Sequence, residues 1–217
     1  GGAFVRTKLK NLDSGAVGTI FQVPPTAAAL TNGPAFSLGL DIDATLPKLY
    51  AADATYGESA MSFMTPPDVR DLSAVRSRGA KMLVYHGVSD HIFSIDDTEA
   101  WYRGVDRHSG GPAKDFVRFY EIPGMGHCSG GPAADQADFI TPLVAWVEQG
   151  VAPEALVAKA RGVGNAAAPN TELPAGWAAD RTRPLCPYPS IAVYKGMVSL
   201  EVASSFRCVG DRNGRGH

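Results

Sequence analysis

The stretch KMLVYHGVSDHIFS (residues 81–94) decides how the rest of the chain is read. Its first seven residues form a compact apolar run closed by Gly87. A run that short, bounded by glycine, suits an interior parallel strand buried on both faces. DLSAVRSRGA (71–80) before it reads as a short helix. SIDDTEAWYRGVDRHSGG (94–111) after it reads as a longer one, with Ser94 and Asp97 spaced as a capping box and the glycine pair as a stop. Trp101 and Tyr102 fall in that helix as packing residues. DFVRFYEIP (115–123) is a second strand and GMGHCSGGP (124–132) a glycine-rich loop. AADQADFITPLVAWVEQG (133–150) is a further helix, with Phe139, Ile140, Leu143, Val144 and Val147 near one face and Pro142 either kinking it or marking its true start. Strand, helix, strand, helix in this order is the building block of an α/β sheet.

Outward from this unit the signals weaken. Residues 1–60 are irregular and rich in Ala, Gly, Pro and Thr. VGTIFQV (17–23) has strand composition and LPKLYAADATYG (46–57) reads as loop and short helix. Beyond residue 150, PEALVAKA (153–160) is predicted as a short helix. The Pro-rich RTRPLCPYP (181–189) and a last apolar run, SIAVYKGM (190–197), follow. Residues 1–60 are expected to belong to a cap and 61–217 to the α/β domain. The opening GGAFVRTKLKNLDSG does not read as a natural beginning, so an internal cut in a longer chain is expected.

With 217 residues, 45% hydrophobic and 19% charged, the chain has globular composition, and its net charge of −2 gives no electrostatic reason to expect nucleic acid or an anionic membrane as a partner. No run approaches the roughly 18 apolar residues of a membrane span. Three cysteines, Cys128, Cys186 and Cys208, include no CxxC, which argues against a zinc ribbon or redox pair. In an exported protein the odd count leaves one thiol to pair elsewhere or stay free.

Functional groups of parallel α/β sheets lie in loops beyond the carboxyl ends of strands. Asp90 follows the first strand and His127 the second. An acid and then a histidine on successive strand-end loops is the chain order of an α/β-hydrolase triad. There the carboxylate orients the imidazole, and the imidazole takes a proton from a serine and returns it to the leaving group. A turn-forming aspartate and a surface histidine are the plainer reading. The chain contains no G-x-S-x-G elbow. Ser129 is two residues from His127 in the same loop, too close to attack in line with its own base, and Ser89 adjoins the acid.

HGVSDHIFS, PGMGHCSGGP, WVEQGVAPE, RTRPLCPYP and FRCV, in this order, resemble the tannase and feruloyl esterase family over about residues 60–210. HGVSDHIFS with WYRGVDRHSGG is nearest in look to its mono(2-hydroxyethyl) terephthalate hydrolase-like members. The resemblance implies the C-terminal part of an α/β-hydrolase core plus the return segment of an inserted lid, with Asp90 as acid and His127 as base. It implies a secreted or periplasmic serine esterase that cleaves esters of aromatic acids. Cys128 would pair with a cysteine beside the nucleophilic serine, on a segment or second chain outside this sequence, and Cys186 with Cys208. A buried free thiol is the alternative for Cys128. Phe93 would face an aromatic acyl group, or else serve as a core residue. No cofactor or metal is expected in this chain. The family's lid often holds a structural calcium, here assigned to the lid segment outside it, and Asp41, Asp43 and Asp53 read as solvated or capping carboxylates. Gallate, ferulate and terephthalate remain open as acyl groups. The rival function is a non-catalytic binding or accessory module of hydrolase-like fold.

Overall fold

The computed structural model describes residues 13–196 and 199–210. The first twelve residues of the 1–60 segment and Met197 of the last apolar run lie outside the described residues. The chain divides into two compact units, Gly1–Val69 and Arg70–His217.

The described part of the first unit is a set of short helices: α1 (Asp13–Thr19), α2 (Ala28–Thr31), α3 (Gly33–Leu38), α4 (Ile42–Thr45), a 3-10 turn (Leu46–Leu49) and α5 (Ala60–Met64). Local side-chain caps start three of them. Asn32 accepts from the Ala35 amide, Asp41 from Ala44 and Ser59 from Ser62. Asp53 accepts from the amides of Thr55 and Tyr56. Two members of the Asp41, Asp43 and Asp53 cluster are thus engaged with backbone. Among the described residues no group of three or more His, Cys, Asp or Glu side chains is gathered as metal ligands would be. The strand predicted over 17–23 is instead the end of α1 and a turn. Ile20 and Phe21 both donate to the Ala16 carbonyl, so local bonds take the donors a ladder would need.

The second unit contains the parallel pair β1 (Met82–Gly87) and β2 (Val117–Ile122), in register from Met82 opposite Val117 to Gly87 opposite Ile122. α6 (Ser73–Ser77) precedes β1, and α7 (Ile95–His108) crosses over from β1 to β2. Ser94 caps α7 by accepting from the Asp96 amide. The strand buried on both faces is β2 rather than β1. Val117 and Phe119 pack with Tyr102, Val105 and Phe116 on one side, and Tyr120 and Ile122 with Met125, Leu156 and Leu185 on the other. Among the described residues β1 pairs only with β2, which leaves Tyr85 49% exposed, stacked on Phe139.

The last predicted helix of the βαβα unit is shorter than expected. β3 (Gln136–Ala137) takes its first residues, and α8 (Ile140–Gln149) starts with Pro142 in its first turn. Pro142 therefore marks the start, where its missing N–H has no partner to lose. Trp146 is the buried residue of α8, while Ile140, Val144 and Val147 are exposed, a rotation from the predicted face. The segment predicted as helix over 153–160 forms β4 (Leu156–Lys159), the middle strand between β3 and β5 (Thr182–Leu185). Its burial alternates, Leu156 and Ala158 inward, Val157 and Lys159 outward, which is the period of a strand. β6 (Ile191–Tyr194) and β7 (Phe206–Val209) make a hairpin-like pair closed by the Cys186–Cys208 disulfide nearby.

The Pro-rich stretch covers the free edge of β2. Tyr188 donates its amide to Phe119 O, and Pro187 bridges Tyr120. Proline cannot donate to a further strand, so the sheet ends there.

Candidate active site

The site stands where the parallel strands end. Val88 donates to Ile122 O, Asp90 to Gly87 O, and Ser89 to Met125 O, so the loops after β1 and β2 are bonded directly to each other. Gly87 permits this approach. A Cβ there would lie 2.4 Å from Met125 O and 2.5 Å from Gly126 O, a clash with rigid backbone.

Asp90 is almost fully enclosed, with a side chain 6% exposed. Its Oδ1 accepts from the amides of Ile92 (2.8 Å) and Phe93 (3.2 Å). Its Oδ2 lies 2.9 Å from His127 Nδ1. Burial pushes this carboxyl up, but the bonds from His127, Ile92 and Phe93 outweigh it and hold the group below the ordinary aspartate value. An ionised carboxylate only accepts, so the shared proton sits on Nδ1, and Nε2 is the atom left to receive one. Among the described residues no group bonds Nε2. The structure therefore brings the two predicted residues together, Asp90 and His127, in the arrangement of an acid orienting a base.

The loop of His127 is braced from below. Asp135, with its side chain fully buried, accepts from the Gly130 amide and from Arg161 through two guanidinium nitrogens. Gly131 donates to Glu172 and accepts from Asn170. Cys128, immediately after the histidine, is exposed, unpaired and in the left-handed region at φ 61°. Strain of this kind in a non-glycine residue is held by its surroundings and clusters at functional sites. The alternative of a buried thiol does not hold for Cys128. Ser129 is exposed in the same loop.

Phe93 is 60% exposed, with its ring tilted 5.4 Å from that of His127. It is not a core residue. It borders a hollow of about 540 Å³ lined by Val84, His86, Ser94, Asp97, Thr98 and Trp101. Cys186 and Cys208 are bonded to each other, as the resemblance implied.

Sequence reasoning missed three residues. His86 ends β1 beside Asp90, with its Nε2 3.4 Å from Asp90 Oδ2. Asp135 and Arg161 form the brace. His86 stands four positions before Asp90 and carried a signal, an imidazole at a strand end. Asp135 and Arg161 are 26 residues apart and carried none.

Comparison with known proteins places the chain. The model of the family described as tannase and feruloyl esterase matches residues 36–209. Mono(2-hydroxyethyl) terephthalate hydrolase of Piscinibacter sakaiensis is 40% identical over 188 residues, 87% of this chain and 29% of that protein. Feruloyl esterase C of Talaromyces stipitatus is 32% identical over 156 residues, 64% of this chain and 28% of that protein. Among solved structures, an esterase from Aspergillus oryzae superposes with a TM-score of 0.53 at 30% identity, covering 64% of this chain and 29% of that one. The chain thus spans less than a third of the length of these relatives. Its α/β unit is of the esterases' α/β-hydrolase type. By the family model, the identity to these relatives and the strand-end aspartate and histidine, this chain belongs to the tannase and feruloyl esterase family.

Proposed function

We propose that this chain is the acid-and-base part of a carboxylic ester hydrolase that cleaves esters of aromatic acids. The observation that carries the reading is the 2.9 Å contact between Asp90 and His127 Nδ1, with Nε2 turned to no other group among the described residues. Asp90 fixes the ring and stabilises its cation. His127 Nε2 takes the proton of a serine hydroxyl as the serine attacks the ester carbonyl, then gives it to the leaving alcohol. Water repeats the sequence on the acyl-enzyme and releases the acid. The nucleophile belongs to a segment outside these 217 residues, and the backbone amides of that segment supply most of the oxyanion hole.

Cys128, exposed beside His127, is proposed to bond a cysteine on that same segment, tying base to nucleophile. Phe93 is proposed to lie against the acyl ring. Residues 1–60 are assigned to the return half of a lid, and a structural calcium, where present, to the rest of that lid. The Cys186–Cys208 bond fits an oxidising compartment, which supports export. Among the described residues no helix is long and apolar enough to cross a membrane. Names among the relatives, feruloyl esterase and mono(2-hydroxyethyl) terephthalate hydrolase, support an aromatic acyl group.

Two measurements test this. In the full-length protein, His127→Ala is expected to lower kcat on an aromatic methyl ester by about 10⁴-fold or more; undiminished turnover would remove His127 from the chemistry. Peptide mapping without reductant is expected to find Cys128 joined to a cysteine peptide that also carries the reactive serine. A free Cys128 and no ester turnover would favour a non-catalytic binding module instead.

A further inference from the structure

His86 is the second imidazole at this strand end, and no step above uses it. Its side chain is 11% exposed. Nδ1 lies 2.7 Å from Thr98 Oγ1 in the first turn of α7, and Nε2 lies 3.2 Å from Phe93 O and 3.4 Å from Asp90 Oδ2. Phe93 O and an ionised Asp90 Oδ2 can only accept. Nε2 must therefore carry a proton, which it donates to Phe93 O with Asp90 Oδ2 lying beside it, and in the neutral ring Nδ1 accepts from the Thr98 hydroxyl. One ring thus links the end of β1, the residue before the Ser94 cap and the first turn of α7.

The consequence falls on Asp90. Its Oδ1 is held by two amides, and its Oδ2 bonds His127 and has the His86 ring 3.4 Å away on another side. Of those two, His127 is the group that gains and loses charge during the proposed turnover. His86 is the one that stays. We propose that His86 is a positioning residue for the Asp90–His127 pair, fixing the rotation of the Asp90 carboxylate so that Oδ2 remains in line with His127 Nδ1. This rests on the ester hydrolase reading for its kinetic consequence, but not for its geometry. An apolar side chain of the same size could fill the space, yet it would leave the Phe93 carbonyl and the Thr98 hydroxyl without the ring and Oδ2 without a polar neighbour on that side.

The test compares His86→Ala, His86→Asn and His86→Gln in the full-length protein. Glutamine carries an N–H donor as many bonds from Cα as Nε2, whereas the amide of asparagine reaches only as far as Nδ1. Kinetics on methyl ferulate and the Nδ1 proton resonance of His127 in ¹⁵N-histidine-labelled protein are the two readouts. Expected is a drop in kcat of roughly 10- to 100-fold for Ala and Asn with KM within about twofold, together with a shifted or broadened His127 resonance. Glutamine should restore both. An unchanged resonance in the Ala and Asn variants would overturn the proposal, as would a glutamine variant no better than alanine. A wild-type protein that turns over no aromatic ester would sink the hydrolase reading instead, while the resonance would still decide the role of His86.

Discussion

Asp90 and His127 sit in loops that meet through single hydrogen bonds, the Ser89 amide to Met125 O among them, whereas Cys186 and Cys208 join two segments of the tail covalently. The strand-end loops are polar, partly exposed and dependent on the ionisation of Asp90. The tail is a shield. It covers the edge of β2 with Pro187 and Tyr188 and lays the guanidinium of Arg183 over the Phe206 ring and that of Arg181 over Trp177. The comparison teaches that chemistry and edge protection are built from different interactions in neighbouring parts of one unit. Each should then be removable without the other.

The largest separation is expected from Asp90→Asn. Asparagine can still accept from Ile92 and Phe93, but it presents an amide or a neutral oxygen to His127 and no longer stabilises its cation. In the full-length protein kcat should fall by about 10⁴-fold, with a loss of unfolding free energy of about 1–2 kcal/mol. A collapse of the urea midpoint would show that the loops carry the fold as well as the chemistry. The converse experiment is the double substitution Cys186→Ala and Cys208→Ala. The bond closes a sequence separation of 22 residues, and its loss should cost about 3 kcal/mol in urea unfolding, with KM and the remaining kcat little altered at temperatures where the protein is folded. Loss of activity in the folded double variant would break the distinction.

Phe93→Ala sharpens it within the site. A ring contact of about 0.5–1.5 kcal/mol corresponds to a rise in KM of roughly two- to tenfold, with a smaller change in kcat. An aliphatic ester should show no such rise.

The smallest effect concerns the place where the two regions touch. Glu99 on α7 accepts from the Tyr188 hydroxyl of the tail and pairs with Arg103. It also neighbours Glu121, the β2 residue opposite His86 in register. Burial, reinforced by Glu99, pushes the Glu121 carboxyl up to about 7. Its folded value lies above the unfolded one, so the folded state holds the extra proton. The stabilisation is complete below the ordinary carboxyl range and is lost as pH rises towards about 7. The urea midpoint should therefore decline between about pH 4.5 and 7, and Glu121→Gln should flatten that decline. An identical slope in the variant would exclude this carboxyl as its source.

Much of the α/β unit was legible because its signals are local. β1, α7 and β2 follow from short apolar runs, a capping serine and glycine stops, and the strand-end rule then singles out Asp90 and His127. Elsewhere local signals misled. PEALVAKA has the composition of a helix, but β3 and β5 flank it, and two rows of ladder bonds outweigh propensity. VGTIFQV has the composition of a strand, but no partner strand lies beside it among the described residues, and α1 claims its first half. The face of α8 was misjudged because Trp146, the residue that anchors it, is set by what lies beneath the helix.

The amino-acid sequence by itself determined the order of acid and base, their places after two strands, and the family. These depend on residue type and spacing, which act within a few turns of chain. Only the tertiary structure decided that Asp90 Oδ2 meets two imidazoles, that Asp135 and Arg161 brace the histidine loop, and that β2 rather than β1 is the strand buried on both faces. Those depend on which distant segments are packed together, and a hydrogen bond between residues 26 positions apart, as between Asp135 and Arg161, leaves no trace in local composition.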